Sequence, residues 1–250
     1  EQFDSEVVDR LVEHTRALGI AVRTHADVTA VEALGKAYRV QVAVDGRTEM
    51  VDADLVLHGA GRVPATKRLS LETAGVAATP RGGVQVNEFL QSTTNTRVYA
   101  AGDVAASAGS APLTPVAGYE GRVVAENLLH GNQRRVDYGP VPSVVFTVPP
   151  LAMVGFTEAA AIAAGLDAQI ERHDTSGWYT NRRIAAESAM TKVLVDCATD
   201  RIVGAHLLGH HAEEIINLFA MAMRHGISAQ ALREQIYAYP TSGSDLPYMV

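Results

Sequence analysis

In the middle of the chain, the apolar run Arg97-Val-Tyr-Ala-Ala101 ends on Gly102-Asp103. A loop of small residues, Ala105–Ala111, then leads to a marked helix start. Thr114 suits the N-cap of that helix, Pro115 its first turn and Gly131 its exit. Towards the N-terminus, Val7, Val8, Leu11, Val12 and Leu18 share one face of a helix over residues 5–18, with Gly19 as its stop. Ile20–Val22 reads as a short buried strand and Asp54–Leu57 as a short apolar one. Val40, Val42 and Val44 alternate into the turn pair Asp45-Gly46, which predicts a hairpin. Leu71–Ala78 reads as irregular or weakly helical, and Val84 and Val86 as a strand.

Gly139-Pro-Val-Pro142 breaks the composition and predicts a domain boundary. Beyond it, Ser143–Thr147 and Ala152–Gly155 are strand-like, and Thr157–Ala164 is a small helix stopped by Gly165. Lys192–Asp196 and Ile202–Leu208 form a hairpin around Thr199-Asp200. Helices follow at Glu213–Arg224, with the stripe Ile216, Phe219, Ala220 and Met223, and at Ser228–Ile236.

Charge and cysteine content narrow the function classes. With 21 basic and 28 acidic residues among 250, the net charge is −7 and there is no long basic run, so no nucleic-acid partner is expected. One cysteine, Cys197, excludes an internal disulfide framework, a CxxC pair and a multi-cysteine zinc site within the chain. No apolar run reaches the roughly 18 residues of a membrane span, and no leader pattern opens the chain, so no membrane partner and a cytoplasmic setting are expected. The chain opens on Glu1 and enters a helix pattern almost at once, which reads like part of a longer polypeptide.

Several motifs carry two readings each. Gly59-Ala-Gly61 resembles a dinucleotide fingerprint but has Pro64 at the third glycine position and no amphipathic helix after it; it is a tight crossover, or a place where backbone approaches a ligand at Gly61. Asp103, after Gly102 at a strand end, is placed to accept a hydrogen bond from a polyol, or else satisfies nearby loop amides. The open amides at Leu113-Thr114-Pro115 could stabilise an electron-rich carbonyl or simply begin a helix. His206, His210, His211, Glu213, Glu214 and His225 lack a spacing that completes a metal site, so none is expected. The Tyr237–Asp245 tail is either a docking segment or a hydroxyl-bearing active-site wall.

In order, these segments resemble the C-terminal half of the FAD-dependent pyridine nucleotide-disulfide oxidoreductase family. The resemblance is carried by Phe3-Asp4-Ser5-Glu6, Gly61–Pro64, Leu71–Val76, Val98–Val104, Leu113–Ala117, Glu120-Gly-Arg122, Ile202–His206 and Tyr239-Pro-Thr241. It implies an α/β and α+β chain in three parts. These are the end of an NAD(P)-binding domain (1–65), the returning segment of an FAD-binding domain (66–137), and an antiparallel-sheet-plus-helices dimerisation domain (138–250) that forms a homodimer. It also implies FAD and NAD or NADP as cofactors. Asp103 would hold the ribityl chain with Gly102 also binding cofactor, Thr114 would offer its amide to the flavin pyrimidine, and Gly61, Pro112 and Val144 would lie near the nicotinamide.

Two departures from the family pattern matter. The half that carries both glycine fingerprints and the redox cysteine pair has no counterpart here, so the chain alone is expected to be incomplete and inactive. Tyr239 stands where the family's disulfide reductases have a histidine, and Ser244 where they have its orienting glutamate. An unperturbed tyrosine titrates near ~10 against ~6.5 for histidine, so disulfide chemistry is disfavoured and the electron acceptor is left open. The resemblance therefore implies part of an FAD-dependent NAD(P)H oxidoreductase with Tyr239 on the acceptor side. The alternative is a non-catalytic, dimer-forming interaction module with a vestigial flavin segment.

Overall fold

The computed structural model describes residues 3–250. Its elements, in chain order, are α1 (Ser5–Ala17), β1 (Ala26–Leu34), β2 (Ala37–Val44), β3 (Arg47–Ala53), β4 (Val84–Gln85), β5 (Ala105–Ala106), α2 (Thr114–His130), β6 (Ser143–Val145), β7 (Leu151–Gly155), α3 (Glu158–Ala163), β8 (Ala168–Asp174), α4 (Tyr179–Arg182), β9 (Met190–Asp196), β10 (Ile202–Leu208), α5 (Ala212–His225) and α6 (Ala229–Glu234). They divide into two units. One joins the N-terminal stretch through Thr24 to Gly139–Val250, and the other is His25–Tyr138.

The first unit is built on a five-stranded antiparallel sheet in the order β6-β7-β10-β9-β8. Its strands β9 and β10 are buried almost throughout because both faces are covered. Ile216, Phe219 and Ala222 of α5 pack with Ala152, Val154, Val193 and Ala205. The alternate residues, Leu151 and Leu208 with half-buried Met190, meet Val7 and Leu11 of α1. Thus α1, which precedes the β1–β3 segment in sequence, packs on the sheet built from residues beyond 139. The edge strand β8 has no apolar alternation and was not expected from sequence. Its Arg172 pairs with Glu6 and Glu158 and its Asp174 with Arg10, so charge marks this exposed edge.

The second unit contains the meander β1-β2-β3. Asp45 and Gly46 take φ of 48° and 75°, the two positive values that a type I′ hairpin turn requires. The sequence pattern missed β1 because a register shift between Val28 and Ala30 breaks its period of two. Farther along, Val76, Val84 and Ala100 form a small core. The buried stripe of α2 is Val116, Glu120, Val123 and Asn127, half of it polar.

Three expected strands do not form. Ile20–Val22 and Asp54–Leu57 pair with nothing among the described residues, and of Arg97–Ala101 only a single bridge, Gln91 to Tyr99, is made. A strand exists only as part of a ladder, so an apolar run without a neighbour stays extended coil, and Leu55 and Leu57 remain exposed. The helix start also moves by one residue. Leu113 occupies the N-cap position and Thr114 is the first helical residue, so Thr114 provides no side-chain cap. No helix among the described residues is long and apolar enough to cross a membrane.

Gly121 lies exposed inside α2, without positive φ, and an added Cβ would meet nothing within 4 Å. Gly121→Ala is expected to stabilise the protein by about 0.5–1 kcal/mol, because alanine loses less backbone entropy in a helix. A rise in the urea midpoint at unchanged slope checks this.

Candidate functional site

Asp103 sits in one 3₁₀ turn, Gly102–Val104, closed by the Ala105 N–H donating to the Gly102 carbonyl. Gly102 is required twice over. Its φ is 73°, and a Cβ there would stand 3.1 Å from the Ala117 Cβ, so only glycine lets the turn press onto the first turns of α2. The Asp103 carboxyl projects to solvent and pairs with Arg62 at 2.8 Å between Oδ2 and Nη2. Both partners are exposed, so the pair holds Asp103 only loosely and contributes about 0–1 kcal/mol. Sequence reasoning singled out Gly61 and passed over Arg62, although it stands next in the same Gly61–Pro64 run.

Gly61, Asp103 and Pro112 line one cleft of about 420 Å³, together with Arg62, Pro64 and Val104. Gly61 has φ of 93° and open space where a Cβ would be, so bare backbone faces outwards there. Two residues beyond Pro112, α2 begins at Thr114. Leu113 has no side-chain acceptor to cap the helix, which leaves its leading amides and the positive end of its dipole available.

The remaining candidates lie in the other unit. Val144 is in β6, pairs with Ala152 and packs against the main core. Tyr239 is 77% exposed and stacks on Tyr179, with ring centroids 6.2 Å apart and planes at 29°. Ser244 exchanges capping hydrogen bonds with Thr241. Asp245 accepts the Thr180 hydroxyl, and burial lifts its carboxyl above the usual range against that bond. The two side chains nearest in sequence to the family's glutamate position are thus engaged in folding the tail. His206 is buried with its Nε2 2.9 Å from the Phe156 carbonyl, and the rings of His210 and His211 lie 3.6 Å apart. Among the described residues there is no cluster of three or more His, Cys, Asp or Glu suited to a metal ion. Cys197 is free and exposed.

Comparison with known proteins gives this geometry a family. Residues 1–121 match the family described as pyridine nucleotide-disulphide oxidoreductase, and residues 141–249 match its dimerisation domain. The chain belongs to the pyridine nucleotide-disulphide oxidoreductase family. It is 32% identical over 98% of its length to a mercuric reductase from Staphylococcus aureus, of which it covers 44%. It is 49% identical over 67% of its length to an uncharacterized 19.7 kDa protein in a mercuric resistance operon of the same organism, covering 93% of that protein. Among solved structures it superimposes with a TM-score of 0.85 on the HOCl-induced flavoprotein disulfide reductase RclA from Escherichia coli. There the identity is 29%, and the match covers 99% of this chain and 55% of that one. The chain thus spans less than half of the mercuric reductase that it matches.

Members of the pyridine nucleotide-disulphide oxidoreductase family depend on FAD and NAD(P). The second unit fits one side of a flavin: an exposed carboxyl able to accept from hydroxyls, bare backbone at Gly61, and an uncapped helix start, all at or beside one cleft.

Proposed function

We propose that the chain is the C-terminal part of an FAD-dependent NAD(P)H oxidoreductase, acting in the cytoplasm as a homodimer through residues 138–250. In this reading residues 1–65 close the NAD(P)-binding domain and 66–137 are the returning segment of the FAD-binding domain. The observation that carries it is the shared cleft of Gly61, Asp103 and Pro112 beside the start of α2, in a chain with this family membership. Bound flavin would take a hydride from the nicotinamide and pass electrons to an acceptor. Asp103 accepts hydrogen bonds from the ribityl hydroxyls, exchanging Arg62 for them, and the turn at Gly102 sets its direction. The Thr114 amide donates to the pyrimidine edge, where the helix dipole favours developing negative charge. Gly61 and Pro112 lie beside the nicotinamide. Tyr239 lines the acceptor side across the dimer, where a phenol donates a hydrogen bond but does not shuttle protons as an imidazole does.

The test uses the full-length protein. A yellow protein whose flavin absorbance bleaches anaerobically on adding NADH or NADPH is the expected result; a colourless protein, or a flavin that stays oxidised with both, ends the reading. Asp103→Ala is expected to weaken FAD binding by about 1–3 kcal/mol, since ribityl hydroxyls lose their acceptor in a closed site. Flavin content that survives dialysis unchanged would remove Asp103 from the site.

The short relative, 93% of which aligns with this chain, favours a second reading, a dimer-forming module without catalysis. A full-length sequence without glycine fingerprints would select it.

A further inference from the structure

Beneath the turn that carries Asp103 lies a carboxyl group that no solvent reaches. Glu120, on α2, is fully buried. Its Oε2 accepts the Gly102 N–H at 2.5 Å, and its Oε1 accepts the Ser110 hydroxyl at 2.8 Å and the Tyr138 hydroxyl at 2.5 Å. Tyr138 has one proton to give. With it committed to Glu120, the Ser107 hydroxyl, 2.8 Å away, supplies its own proton to the phenol oxygen. Burial and the neighbouring Glu120 push the Tyr138 phenol up to about 12, so it stays a donor throughout the physiological range. Among the described residues no cation takes part in the hydrogen bonds to Glu120; its two oxygens accept from three donors.

The donors come from different segments, and this gives the arrangement a function. Gly102 directly precedes Asp103. Ser110 lies two residues before Pro112 and four before Thr114. One carboxyl group therefore ties to α2 both the turn that presents Asp103 and the loop that leads to Pro112 and the helix start. The helical period of Val116 and Val123 places residue 120 inward but does not itself call for an acid.

We propose that Glu120 is a positioning residue for the flavin site, fixing the distance between the ribityl-facing Asp103 turn and the pyrimidine-facing start of α2. This rests on the flavin reading given above. If it holds, the effect of losing Glu120 is transmitted through Asp103 and disappears when Asp103 is absent.

The experiment is a double-mutant cycle in the full-length protein, with FAD affinity measured by titrating the apoprotein and following flavin fluorescence. Glu120→Ala is expected to weaken FAD by about tenfold, and Asp103→Ala by about tenfold or more, while the double variant stays within about twofold of Asp103→Ala. Glu120→Gln keeps an acceptor for Gly102, and the Ser110 and Tyr138 oxygens can accept from its amide, so it should restore affinity to within about threefold of the parent. If Glu120→Ala does not fold, Ser110→Ala carries the same cycle, with about threefold weaker binding when Asp103 is present and no change when it is absent. Equal losses in both Asp103 backgrounds would overturn the positioning role while leaving the flavin reading intact. A full-length protein that never takes up FAD would overturn both.

Discussion

Replacing Lys192 by methionine is expected to destabilise the unit built on the five-stranded sheet by about 3–5 kcal/mol, the range for breaking a buried ion pair from one side. Lys192 is 2% exposed and lies on the face of β9 that α1 covers. Its ammonium is 2.9 Å from Asp4, 2.8 Å from Glu6 and 2.6 Å from Glu158. Glu6 and Glu158 retain access to water and share Arg172, so they tolerate its loss. Asp4 does not, being 3% exposed. It also caps α1 through the Glu6 N–H and accepts the Glu158 N–H, which ties its position to two helices. The methionine variant therefore leaves one buried carboxylate without a counter-charge. Adding Asp4→Asn, which keeps the capping oxygen, should recover part of the loss. A urea midpoint for Lys192→Met equal to that of the parent would refute the latch.

The pH dependence of this cluster has a definite sign. Burial alone would raise the Asp4 carboxyl, but the hydrogen bond and charge of Lys192 outweigh it and hold it below its ordinary 3.8. Hydrogen bonds from Lys192 and then Arg172 hold Glu158 below its ordinary 4.5. Burial alone would lower Lys192, but its bonds to Glu158, Glu6 and Asp4 leave it raised above 10.5. Depressed carboxyls contribute stability that is complete above their unfolded values and is lost as pH falls through the folded ones. A raised lysine contributes fully below its unfolded value and loses that contribution as pH rises through the folded one. The parent should thus weaken progressively below about pH 4, and the gap between parent and Lys192→Met should be widest near neutrality and close in acid. His206, which faces the same cluster, is lowered by burial and further by the Lys192 charge, so below about pH 6.5 it weakens the parent more than Lys192→Met, which narrows the gap in the same direction. Asp174 at the exposed rim is held below its ordinary 3.8 chiefly by hydrogen bonds from Ser176, which both proteins keep, so it does not separate them.

The latch also marks the limit of what the sequence discloses. The hairpin at Asp45-Gly46, the helix α1, and the pair β9 and β10 were legible, because their signals are local: a turn pair, a 3.6-residue stripe, continuous apolar runs. Lys192 was read as the start of a strand and nothing more. Its partner Asp4 is 188 positions away, and no spacing rule reaches that far. Strand β8 was invisible for the same reason, since Arg172 and Asp174 look like solvated charges until α1 and α3 are placed beside them. In the candidate site, Gly61, Gly102 and Asp103 were singled out by turns at the ends of motifs, and Pro112 by the resemblance alone. Glu120 was quoted only as a letter in Glu120-Gly-Arg122, since an acid on a helix reads as surface. The three unformed strands fail in the opposite direction: their apolar runs are genuine, but a ladder needs a partner strand.

Gly204→Ala is expected to destabilise the same unit by about 2–6 kcal/mol, combining overpacking of about 1–3 kcal/mol with the loss of a buried hydrogen bond worth about 1–3 kcal/mol. Gly204 opposes Gly155 where β10 crosses the end of β7. A Cβ on Gly204 would stand 2.1 Å from the Phe156 carbonyl oxygen, and one on Gly155 would stand 2.3 Å from the Val203 carbonyl oxygen. Neither obstacle is a flexible side chain. The Phe156 N–H donates to the Val203 carbonyl at 2.9 Å, and the Phe156 carbonyl is bonded to His206 Nε2, also at 2.9 Å. Any displacement that admits a methyl group at 204 therefore takes the His206 bond with it. His206 is 1% exposed and its Nδ1 already has no partner among the described residues, so the ring would be left buried with both nitrogens unsatisfied. Gly121→Ala, at a glycine with open space around it, controls for the substitution itself. A Gly204→Ala protein that melts with the parent would mean that the Phe156 carbonyl yields freely, and that the glycine in the Ile202–His206 run answers to something other than this crossing.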